Sequence, residues 1–192
     1  MDIFSTYLYE TKNEELADRL LKPCKDVLKK TKQDTRYING KTTYYNQGII
    51  KEYKIFNLLY EFIEKQFNKY LEIIGCNGEN TKFNITDIWI SEMNKNAIHG
   101  IHTHTPYSIV SGNFYINVPN NSADIVFKRY EMFNDVFTSL NKIKDNKYNT
   151  NSYWIKAEKG KMLLWPSNLP HEVPLNSSNG RMAISFNIGK AT

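Results

Sequence analysis

His99-Gly100-Ile101-His102-Thr103-His104 gathers three of the four histidines in a chain of 192 residues, and the fourth stands alone at His171. Side chains of an extended strand alternate between its two faces. His102 and His104, two apart, therefore point the same way and can reach one ion together, whereas His99 is expected on the other parity. Residues 107–118 are β-branched and aromatic and read as a strand or a hairpin arm. A second extended run, residues 160–165, ends in Pro166-Ser167-Asn168-Leu169-Pro170-His171, and a third, residues 181–188, opens at Arg181. The arrangement is a close histidine pair, a distant third histidine at a strand end, and an arginine ten residues after it.

Outward from this stretch the signals are mostly β. Residues 83–90 read as a strand leading into the histidines, residues 123–127 as another, and residues 153–158 as one joined through a Lys159-Gly160 turn to the run at 160–165. Residues 77–82 read as a polar loop. Residues 134–151 form a polar insertion in which 135–140 are expected to make a short helix. Nearer the N-terminus, residues 54–74 place Ile55, Leu59, Ile63, Phe67, Tyr70 and Ile74 on one stripe with Gly75 as a C-cap, which predicts a helix packed on the outside of a sheet. Residues 13–21 carry Leu16, Leu20 and Leu21 behind an acidic start, a short amphipathic helix that Pro23 is expected to interrupt. The expectation is one mainly β domain over 1–192, with helical support in 1–82 and the β core in 83–192.

Four blocks in the same order resemble a bacterial and phage group of 2-oxoglutarate/iron oxygenases. That group reads H-x-H, then S-G-x-x-Y, then F-P-S-x-x-x-H-x-V-x-P, then R-x-S-x-S-F-N. The matching pieces are His102-Thr103-His104, Ser111-Gly112-Asn113-Phe114-Tyr115, Trp165-Pro166-Ser167 through His171-Glu172-Val173-Pro174, and Arg181-Met182-Ala183-Ile184-Ser185-Phe186-Asn187. The resemblance covers the chain from about Trp89 onward. It implies a double-stranded β-helix core (jelly-roll or cupin-like) buttressed by the N-terminal helices. It also implies Fe(II) and 2-oxoglutarate as cofactor and cosubstrate, and oxidation of a small-molecule or peptidyl substrate.

The same resemblance implies site residues. Non-haem iron is held by three ligands on one face, commonly two histidines and a carboxylate. Here the carboxylate position is His104, so the implied metal ligands and catalytic residues are His102, His104 and His171, a set that zinc or nickel would also accept. Glu172 or Asp124 remains an alternative third ligand, and a histidine cluster without metal remains the bland one. Arg181 stands where the family binds the far carboxylate of 2-oxoglutarate, a task suited to a planar guanidinium. The hydroxyl that often assists it is replaced by Ala183, which leaves Tyr115 or Ser185 as the second donor. Ordinary alternatives are an Arg181 paired with a surface acid and a Tyr115 that merely packs. His99 is expected beside the ligands or facing substrate, and Trp89 and Asn187 on strands that line the barrel mouth, where either can touch substrate, with core packing the favoured reading for Trp89. Two further readings stay open: a three-histidine cupin-like enzyme that uses no 2-oxoglutarate, and a noncatalytic jelly-roll module.

Composition narrows the field. Hydrophobic residues make up 41% of the chain, and a net charge of +5 is spread over scattered lysines. That favours a folded globule and argues against a nucleic-acid partner. Cys24 and Cys76 form neither a C-x-x-C pair nor a disulfide framework, so a reducing cytoplasm is expected. The N-terminal residues lack a signal-peptide pattern, and no apolar run approaches the ~20 residues that span a bilayer. Oligomeric state leaves no mark in the sequence.

Overall fold

The computed structural model describes residues 5–32, 34–76, 83–129, 141 and 143–190. The expected loop at 77–82 and the expected helix at 135–140 lie outside the described residues. The elements run β1 (Tyr9–Lys12), α1 (Glu14–Lys30), β2 (Gly40–Thr42), α2 (Gly48–Lys51), a 3-10 turn (Lys54–Phe56), α3 (Asn57–Ile73) and β3 (Phe83–Met93). There follow β4 (His99–His102), β5 (Val110–Asn117), β6 (Ile125–Lys128), β7 (Ser152–Ile155), β8 (Lys161–Pro166), β9 (His171–Val173) and β10 (Arg181–Lys190).

The strands form two antiparallel sheets, a six-stranded one ordered β1-β8-β5-β10-β3-β2 and a four-stranded one ordered β4-β9-β6-β7. This is the mainly β jelly-roll architecture that the motifs imply. β10 lies between β3 and β5, and its alternation divides the core in two. Met182, Ile184, Phe186 and Ile188 join the outer cluster beneath the helices. Arg181, Ala183 and Ser185 face the cleft between the sheets.

The outer face is covered by α1 and α3. α3 buries Leu59, Ile63, Phe67 and Tyr70 as the stripe predicts, with Phe62 set edgewise on Phe114 of β5 at 5.8 Å. The stripe's ends differ. Ile55 falls in the 3-10 turn that precedes α3, and Ile74 is exposed at the C-cap, where Gly75 takes φ +73° and the Cys76 N–H closes the last turn on Leu71 O at 2.8 Å.

Two further expectations are corrected. Pro23 does not interrupt the first helix but lies inside a continuous 17-residue α1. Proline costs about 3 kcal/mol in a helix interior. Buried Leu16, Leu20, Val27 and Leu28 lie on both sides of it, and each is worth about 1.5–3 kcal/mol, so burial wins. Asn13 caps the start, its side-chain oxygen accepting the Leu16 N–H at 3.0 Å. The N-terminal part is also more than helical support. β1 pairs with β8 and β2 with β3, so the first two strands cover both edges of the large sheet.

Candidate metal centre

The site is assembled where β4 meets β9. His102 and His171 are direct cross-strand partners. β4 ends at His102, and His104 lies just beyond it, tied by its backbone N–H to Ser167 O at 2.9 Å. The pairing opposes His99 to Val173 and His102 to His171, three steps on one strand against two on the other. That bulge reverses the parity between them. His99 is consequently on the same side as His102, its ring stacked on that of His102 at 4.3 Å, which corrects the strand-alternation expectation.

The imidazoles of His102, His104 and His171 each offer a nitrogen within 4.8 Å of the other two. Ring centroids are 4.3 Å apart for His102 and His171, 5.0 Å for His102 and His104, and 5.2 Å for His104 and His171. Neither alternative carboxylate turns toward them. Glu172 is paired with Lys128 Nζ at 2.9 Å, and Asp124 accepts the Ala157 N–H at 2.8 Å.

Burial lowers all four histidines below the ordinary imidazole value, and their mutual repulsion adds to the effect at His99, His104 and His171. His171 falls to about 3, His99 and His104 to about 4, and His102 moves in the same direction against a contact with the Gly100 carbonyl that favours its charged form. Neutral imidazole is the form that ligates metal. His102 Nδ1 lies 2.8 Å from Gly100 O and His171 Nδ1 lies 3.0 Å from Leu169 O. A carbonyl can only accept, so each ring carries its proton on Nδ1 and keeps the Nε2 lone pair for an ion. The donor set therefore suits a borderline divalent metal such as Fe(II).

His104 has a different neighbour. Asp87, Asn187 and Ser111 form one row across β3, β10 and β5. Asn187 Nδ2 donates to Asp87 Oδ2 at 3.3 Å and lies 3.4 Å from His104 Nδ1, while Ser111 Oγ donates to Asn187 Oδ1 at 2.9 Å. Ser167 Oγ lies 2.8 Å from Ser111 Oγ. Of these residues the sequence motifs mark Asn187 as a site candidate, whereas they leave out Asp87 and assign Ser111 no role. Asp87 stands two residues before Trp89 on one strand, and that shared parity was the available signal.

Arg181 is only 3% exposed. Its Nε donates to Ala123 O at 2.8 Å, and its terminal nitrogens contact the weak acceptor Met93 Sδ at 3.5 Å and, at a long 3.5 Å, Tyr115 Oη. Among the described residues no carboxylate lies within ion-pair distance of it. Among those residues, then, it is not paired with a surface acid. Burial pushes the fully buried Tyr115 phenol up, so that group stays protonated. Trp89 lies against His104 at 5.8 Å between ring centroids, with Tyr44 edgewise on it at 5.1 Å. Ser185, Ala183, His99, Trp89 and the three clustered histidines line the same cleft as Arg181.

Comparison with curated protein sequences finds no match. Among solved structures, a Pseudomonas putida prolyl-4-hydroxylase is similar at TM-score 0.67 and 11% identity, over 98% of this chain and 95% of that one. A Trichoplax adhaerens prolyl hydroxylase, in complex with a hypoxia inducible factor oxygen degradation domain peptide fragment, is similar at TM-score 0.60 and 16% identity, over 95% and 83%. HygX from Streptomyces hygroscopicus, with nickel, 2-oxoglutarate and hygromycin B bound, is similar at TM-score 0.54 and 10% identity, over 96% and 83%. At these identities the likeness speaks for the fold. The sequence itself matches the 2OG-Fe(II) oxygenase family model over residues 87–187, more than half of its length. With its jelly-roll sheets and three-histidine cluster, the chain belongs to the 2OG-Fe(II) oxygenase family.

Proposed function

We propose that His102, His104 and His171 hold Fe(II), that Arg181 and Tyr115 receive the far carboxylate of 2-oxoglutarate, and that the substrate is a peptidyl group or a small molecule entering past Trp89 and Tyr44. Fe(II) with 2-oxoglutarate supplies decarboxylation of the cosubstrate to succinate and carbon dioxide, coupled to insertion of one oxygen atom of dioxygen into the substrate. The chain's own contribution is to bind, orient and exclude water around these partners.

The observation that carries the reading is the buried Arg181 guanidinium without an anion among the described residues. A buried charge is costly unless paired. Three of its five N–H groups have protein contacts, one of them to a weak sulfur acceptor and one at the limit of hydrogen-bond length, which leaves two N–H groups of the fork for a planar carboxylate. Arg181 donates to the Tyr115 oxygen, which leaves the Tyr115 hydroxyl hydrogen for the same carboxylate. Ser185 lies two rows further along β10 and is the more distant donor. A three-histidine enzyme without 2-oxoglutarate has no use for such a cation. The peptide bound by the Trichoplax relative and the hygromycin B bound by HygX support the two substrate classes named here.

The test is anaerobic titration of the Fe(II)-loaded protein with 2-oxoglutarate, followed by calorimetry or by the weak metal-to-ligand absorption band. Arg181→Ala should retain the metal and raise the dissociation constant at least tenfold, since a hydrogen bond to a charged group is worth about 1.5–3 kcal/mol. Arg181→Lys should recover part of it and Tyr115→Phe should cost less. Wild-type protein that binds Fe(II) but shows no 2-oxoglutarate binding at millimolar concentration would refute the assignment.

A further inference from the structure

The three clustered histidines are not equivalent, and the difference is written in their hydrogen bonds. His102 and His171 each face a backbone carbonyl through Nδ1. His104 Nδ1 faces the amide nitrogen of Asn187. Asp87 fixes which end of that amide points to His104, because its carboxylate accepts from Asn187 Nδ2 at 3.3 Å and cannot accept from an oxygen. The chain of donors then runs one way: Ser167 to Ser111, Ser111 to Asn187 Oδ1, and Asn187 Nδ2 to both Asp87 and His104 Nδ1. A ring that accepts at Nδ1 carries its proton at Nε2.

We propose that Asp87 and Asn187 are positioning residues that hold His104 with its proton on Nε2, so that His102 and His171 anchor the metal and His104 joins only after the Asn187 amide turns over. This rests on the three-histidine reading above and deepens it. After the turn, His104 Nδ1–H donates to Asn187 Oδ1, Asn187 Nδ2 donates to Ser111, and the Ser111 hydroxyl donates to Ser167. Every member keeps a partner except at Asp87, which then faces the amide oxygen while retaining Gln47 Nε2 at 3.3 Å and the Thr86 hydroxyl at 3.0 Å. Asp87 is thus the group that resists the turn. The pair also sits where the usual carboxylate ligand is missing, with its negative charge one residue removed from His104 rather than on the metal itself.

Two measurements decide it. Long-range proton–nitrogen correlation spectra of chelator-treated protein near pH 7.5 report each ring's tautomer. Protonated Nε2 is expected at His104 and protonated Nδ1 at His102 and His171, and a His104 protonated at Nδ1 overturns the proposal. Calorimetric titration with Co(II) is the second. His102→Ala and His171→Ala should weaken binding by at least about a hundredfold, and His104→Ala by less than tenfold. Asn187→Ala exchanges one neutral side chain for another and should leave the dissociation constant unchanged or tighter, because the opposing donor is gone. A supporting partner outside the ligands instead costs about 10–100-fold when removed, so a loss of that size overturns the proposal. Asn187→Ser, which retains a hydroxyl toward Ser111, replaces the alanine variant if that one does not fold. Wild-type protein that takes up no Co(II) refutes the three-histidine reading instead, and the tautomer spectra alone then decide this one.

Discussion

Four imidazoles packed between two sheets make this cleft poor at holding protons. In the unfolded chain each titrates near the ordinary value of 6.5, and in the fold His171 waits until about pH 3 and His99 and His104 until about pH 4. Between those limits the unfolded chain binds more protons than the folded one, so stability falls as pH falls. The thermal midpoint of chelator-treated protein should hold steady above pH 7 and drop progressively from about pH 6.5 toward pH 4. A His99→Gln, His171→Gln double variant should show a shallower slope over that window. A wild-type midpoint that is flat from pH 7 to pH 4.5 would contradict the burial of these rings.

At the scale of elements, Gly112 on β5 shows how tightly the large sheet is packed under its helices. It is the cross-strand partner of both Phe186 and Leu164, and an added Cβ would lie 2.5 Å from Phe186 Cζ and 2.7 Å from Leu164 Cδ2. Phe186 is fully buried and has little room to yield. Gly112→Ala should therefore lower unfolding free energy by about 1–3 kcal/mol in urea titration, and a neutral effect would show the core looser than described. The Ser-Gly pair is a motif element in the sequence, but only the neighbours across β8 and β10 give the glycine its reason. The same holds elsewhere. Strand composition, the α3 stripe and the four motif blocks lie within single segments, and they were legible. The β4 bulge that brings His99 beside His102, the docking of β1 and β2 on the sheet edges, and the Asp87-Asn187-Ser111 row depend on register between distant strands, which one segment does not encode. Pro23 is the reverse case, a local rule outweighed by burial.

Across the whole molecule the two sheets are clasped by Asn176, a fully buried residue in the connection between β9 and β10. Its Nδ2 reaches Met93 O at 3.2 Å, Asn94 O at 3.1 Å and Ser178 O at 2.7 Å, and its Oδ1 accepts the Ala123 N–H at 2.9 Å. The clasp joins the end of β3 to the start of β6 beside Arg181, whose Nε is held by the Ala123 carbonyl. Asn176→Ala removes hydrogen bonds to four backbone groups, the one to Met93 O buried and the others half-buried, at about 0.5–1.5 kcal/mol each, so a stability loss of about 2–4 kcal/mol is expected in denaturant titration, and one below about 1 kcal/mol would show the clasp to be dispensable. β10 itself has a consequence for how the chain is made. Among the described residues it is the last strand in sequence, yet it lies between β3 and β5. A ribosome delivers both of those strands with their facing edges open, and they stay open until β10 emerges and slots between them. The strand that seals the large sheet also carries Arg181, Ser185 and Asn187, so a nascent chain has no stage at which that sheet is closed without these three residues in place.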